Sequence, residues 1–119
     1  MKKYNNFSEL ASANSNNTAI FNDYSKKPRH NFALERLVEA WNTFDTEKNN
    51  IKSLTEKMTD AKNAGDNYSF SQLRDKYLTS KGWVIHHAET ITKLQGDIQT
   101  ATNAPEFTNK PELPEFIYT

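Results

Sequence analysis

Apolar side chains recur every seven residues in two rows along this chain. One row is Leu37, Phe44, Ile51, Met58 and the other is Phe70, Tyr77, Val84, Ile91, Ile98, with turn-forming residues between them. Seven residues make two helical turns, so each row stays on one face, the narrow seam along which helices press together. Folding back near residue 65 lays the rows against each other. The expected fold is therefore all-α. A long antiparallel, coiled-coil-like helical hairpin occupies residues 31–103, with extended N- and C-terminal arms at 1–30 and 104–119.

Local signals bound the two helices. The first is expected to open near Asn31, a capping residue, with Pro28 fixing the approach. It should run to about Asn63 and stop at Gly65, which suits the left-handed position past a helix end. Leu34 and Trp41 begin a second row that lapses at Lys48 and Thr55, where Leu54 and Ala61 take over as the stripe drifts. For the second helix, Ser69 and Gln72 read as a capping box with Tyr68 stapled onto Leu73. Its companion row is Leu73, Ser80, His87, Leu94, Ala101, and Asn103-Ala104-Pro105 should end it. The expected seam thus joins Leu37, Trp41, Phe44, Ile51 and Met58 to Leu73, Tyr77, Val84, Ile91 and Ile98. Gly82 marks either a bend or a close approach, and Leu54, Leu78, Trp83 and Ile85 suggest a second apolar face.

The arms differ from the hairpin in kind. Only 35% of the 119 residues are hydrophobic, and the mean hydropathy is −0.89. A core that small must offset the entropy of ordering a long backbone, which points to ordering by neighbours. The N-terminal arm is rich in Asn, with a short helix possible at Ser8–Ala13, and it spaces Tyr4, Phe7, Leu10, Ile20, Phe21 and Tyr24 through polar sequence. The C-terminal arm combines Pro105, Pro111 and Pro114 with Phe107, Leu113, Phe116, Ile117 and Tyr118, an extended strap fitted to a groove. Phe7, Phe21, Phe107, Leu113, Phe116, Ile117 and Tyr118 are the expected partner contacts, and folding back onto the hairpin of the same chain is the alternative use for them.

Several function classes lose their support here. Fifteen acids balance fifteen Lys and Arg, so the electrostatic mark of a nucleic-acid binder is missing. The N-terminal arm is mildly basic and the C-terminal arm mildly acidic, which allows complementary contacts with a partner or a second copy. Without cysteine there is neither a disulfide framework nor a thiolate metal site. The start Met1-Lys2-Lys3-Tyr4 has no apolar run behind it, so no signal peptide or membrane span is expected, and synthesis is placed in the cytoplasm. The three glycines are too dispersed for a phosphate loop. His86, His87 and Glu89 are the one candidate for metal or acid–base chemistry. Adjacent helical residues point about 100° apart, and a carboxylate-bridged di-iron bundle needs Glu-x-x-His on two helices. A seam histidine with a surface neighbour is the simpler reading, and no cofactor or metal is expected.

What remains is a non-catalytic structural or adaptor subunit that docks onto protein subunits of a larger assembly, or onto its own copies, through hairpin and arms. In organisation alone the chain resembles small capsid, neck or tail components of tailed bacteriophages, which implies a place in a virion. The alternative is a small regulatory or inhibitory protein that blocks a host protein or nucleic-acid-handling machinery.

Overall fold

The computed structural model describes residues 28–102 and 110–118. Two 36-residue helices, α1 (Pro28–Asn63) and α2 (Asn67–Thr102), pack along each other as an antiparallel hairpin. The described residues contain no strand and form a rod of 57 × 22 × 22 Å. Helix α1 starts at Pro28 and not near Asn31. Proline suits the first helical position because its φ is already helical and its missing N–H would have had no partner there.

The turn ends one helix and starts the next within three residues. Gly65 takes φ 71°, its N–H donates to the Lys62 carbonyl at 3.1 Å, and the Asp66 N–H donates to the Ala61 carbonyl at 2.9 Å. This is the paired closure by which a left-handed glycine satisfies the last carbonyls of a helix. Asp66 then caps α2, its carboxylate accepting the Ser69 N–H at 3.0 Å. The expected Ser69–Gln72 cap is therefore replaced by one that begins three residues earlier. Gly65 leaves the chain pointing along the new axis, so Asp66 is the first residue placed to cap. Hydrogen bonds from Ser69, side chain first and then backbone, hold the Asp66 carboxyl below its ordinary range.

Leu37, Trp41, Phe44, Ile51 and Met58 on α1 and Tyr77, Val84, Ile91 and Ile98 on α2 are all buried. Leu73 and Phe70, near the turn, are half-buried and pack against that core. Burial is wider than two rows, since Val38, Ala40, Ala88 and Gln95 are also covered. Ala88 and Gln95 form a third row seven residues apart. The helices thus carry the broad stripe of globular packing in addition to the narrow seam of a coiled coil. Trp41 sets its ring edge-on to Phe44, at 5.9 Å between centroids.

Threonine is a poor helix former, yet Thr43, Thr46, Thr55, Thr79, Thr90 and Thr92 all lie within the helices. Each hydroxyl donates to the carbonyl four residues back, which answers its polar atom locally. Helix α2 runs through Gly82 and Gly96 without interruption, and a Cβ built at Gly82 meets no atom within 4 Å. No close approach requires that glycine, so Gly82→Ala should stabilise the hairpin by about 1 kcal/mol through helix propensity. A higher melting temperature in thermal circular dichroism is the expected readout. An unchanged or lower one would mean that a contact with residues outside 28–102 and 110–118 needs the glycine.

Candidate functional site

Residues 110–118 cross the turn half of the hairpin as an extended strap. The Lys48 ammonium donates to the Glu112 carbonyl at 3.0 Å while lying 5.8 Å from the centre of the Phe44 ring. One lysine therefore ties the strap to the hairpin core. Farther along, Lys81 sits 5.1 Å above the Phe116 ring. Tyr118 is enclosed edge-on by Phe70 and Tyr77, at 5.5 and 6.1 Å. The Tyr118 hydroxyl shares a hydrogen bond of 2.7 Å with the Thr59 hydroxyl, and its N–H donates to the Tyr77 hydroxyl at 3.4 Å. Contacts with α1 advance from Lys48 to Thr59 as the strap advances from Glu112 to Tyr118, so the strap runs parallel to α1.

Exposure alternates along the strap with the period of an extended chain. Pro114, Phe116 and Tyr118 are half-buried, whereas Leu113, Glu115 and Ile117 face outward. Among the expected partner contacts, Phe116 and Tyr118 thus lie against the hairpin of their own chain. Leu113 and Ile117 are 51% and 53% exposed. Phe107, Phe7 and Phe21 lie outside the described residues. Beside the strap an open groove of about 520 Å³ is lined by Asp45, Lys52, Thr55 and Glu56 of α1 and by Pro114 and Ile117. Its charges are mixed, with no preference for one sign of ligand.

The second apolar face expected from Leu54, Leu78, Trp83 and Ile85 does not form as one surface. Leu54 packs onto the core, and Ile85 is half-buried. Leu78 and Trp83 are exposed, and five residues at about 100° each put them roughly 140° apart around α2. Trp83 heads a cluster of its own, stacked on His87 at 5.6 Å with an 18° interplanar angle and edge-on to His86 at 5.9 Å. The two imidazoles stand 5.5 Å apart. Among the described residues no three His, Asp or Glu side chains are grouped to hold a metal ion. His87 is half-buried beside the core and His86 is exposed.

Burial lowers the His87 pKa from 6.5, the nearby His86 adds to the shift, and Glu47 on α1 opposes it. The unfolded chain then binds a proton on His87 before the folded chain does. This contribution to stability is complete above pH 6.5 and declines as the pH falls through the lowered value. Asp66 behaves likewise in a separate window, its contribution present above 3.8 and lost below. Urea unfolding at pH 7.5 and pH 5.5 should show the hairpin weaker at the lower pH, and His87→Gln should flatten that difference. An equal difference in the variant would assign it to other groups.

Sequence reading did not find Lys48, Thr59 and Lys81 as strap contacts. Lys48 was legible only as a break in an apolar row, and Thr59 and Lys81 carried no signal. No described helix is long and apolar enough to cross a membrane. No protein-family model, curated protein or solved structure matches this chain.

Proposed function

We propose that this protein is a non-catalytic structural or adaptor subunit, a rigid helical rod that docks onto a larger protein assembly through its strap and arms. The observation that carries this reading is the two-sided strap. Phe116 and Tyr118 fix it to the hairpin, while Leu113 and Ile117 present apolar side chains outward at the rod surface. An apolar pair held on a rigid frame suits a partner, because little side-chain or backbone freedom is left to lose on docking. A virion component of a tailed bacteriophage is the concrete form suggested by a hairpin with arms at both ends.

Density-gradient fractionation of the cells or particles that contain the protein tests this. The chain should travel with a large assembly in fixed stoichiometry. The double variant Leu113→Asp, Ile117→Asp should travel free with an unchanged helical circular dichroism spectrum. A native chain found free, or bound one-to-one to a single enzyme, would sink the adaptor reading, and the second result would favour an inhibitor.

A further inference from the structure

We propose that the cleft holding residues 110–118 is a site for extended peptide, and that a second copy of this chain fills it by exchanging the same segment in trans. The cleft reads backbone as well as side chains. Lys48 takes the carbonyl of Glu112, and the Tyr77 hydroxyl takes the N–H of Tyr118. Between these points Lys81 covers Phe116, and Phe70, Tyr77 and Thr59 receive Tyr118. Main-chain contacts for affinity with pockets for alternate side chains are how folded proteins take extended segments.

A second copy is the occupant because the segment that fits this cleft is part of every copy. Exchange reproduces the same contacts and needs no new complementary surface. Residues 103–109 join α2 to the strap, and that covalent tether gives the strap of the same chain a high effective concentration at the cleft. The closed monomer is then favoured in dilute solution. Exchange takes over near that concentration, or where an assembly holds copies side by side. The inference rests on the adaptor reading and adds the identity of one partner.

The chain has no cysteine, so single cysteines placed in it are unique. Lys52 and Ile117 line the same groove from α1 and from the strap, and both are exposed. Full-length Lys52→Cys and full-length Ile117→Cys are mixed and treated with a short bis-maleimide, with circular dichroism confirming that each is helical. The expected result is a mixed cross-linked dimer in excess of the like-with-like dimers of either variant alone. Its yield should rise with protein concentration and be lost when Tyr118→Ala is added to the strap-bearing copy. The inference is overturned if the mixture gives no such excess while the doubly substituted chain links only within itself. Absence of exchange in a chain that still travels with a large assembly overturns this inference alone. Exchange in a chain that travels free overturns the adaptor reading alone.

Discussion

Trp41→Ala is expected to cost the hairpin about 3–5 kcal/mol, the usual range for removing a fully buried aromatic side chain. Trp41 is 1% exposed and its ring is perpendicular to that of Phe44, so truncation leaves a cavity in the seam. Two rods cannot close such a gap without shifting their whole interface. Against a typical domain stability of about 5–15 kcal/mol, the variant should be close to unfolding at room temperature. Trp83→Ala is the matched control, because Trp83 is 50% exposed and its loss should change stability by only about 0.5 kcal/mol. Urea unfolding followed by far-UV circular dichroism measures both. Similar losses for the two tryptophans would mean that Trp41 is not part of the packed core.

Tyr77→Ala should lower stability by a comparable amount, about 3–5 kcal/mol, and release the strap as well. Tyr77 is 0% exposed and serves two structures, filling the seam with its ring and meeting the Tyr118 ring at an interplanar angle of 81°. Tyr77→Phe separates the two roles. It keeps the ring and removes only the acceptor for the Tyr118 N–H, a bond of 3.4 Å that lies beyond ideal geometry. That variant should lose about 1 kcal/mol or less. Urea unfolding reports the hairpin, and limited proteolysis with mass spectrometry reports release of residues 110–118. If phenylalanine proves as harmful as alanine, the hydroxyl rather than the ring is the main contribution, and the packing account of this residue fails.

The hairpin was legible in the chain because heptad periodicity is a local property. Leu37, Phe44, Ile51, Met58, Tyr77, Val84, Ile91 and Ile98 carry the pattern wherever the helix goes, and only one face can hold them. Gly65 was equally plain, since a residue past a helix end needs the left-handed region that glycine enters without strain. The cap of α2 was less plain, because Asp66 and Ser69 are both good capping residues and only the exit direction from Gly65 chooses between them. Gly82 shows the same limit. A glycine inside a helical pattern signals a bend, a close approach or nothing, and the open space beside it is a fact about neighbours.

Proline and aromatic content marked residues 110–118 as a strap without saying where it would lie. Docking of Phe116 and Tyr118 on their own hairpin, with Leu113 and Ile117 left outward, depends on Lys48, Thr59, Phe70, Tyr77 and Lys81 arriving at one place from two helices. Periodicity within a helix is written in neighbours a few residues apart, so the order of amino acids was enough to specify two rods and the turn between them. The position of the strap, and the width of the buried stripe at Ala88 and Gln95, are set by contacts between segments distant along the chain. Those contacts exist only after the rods have packed, so the fold had to supply them.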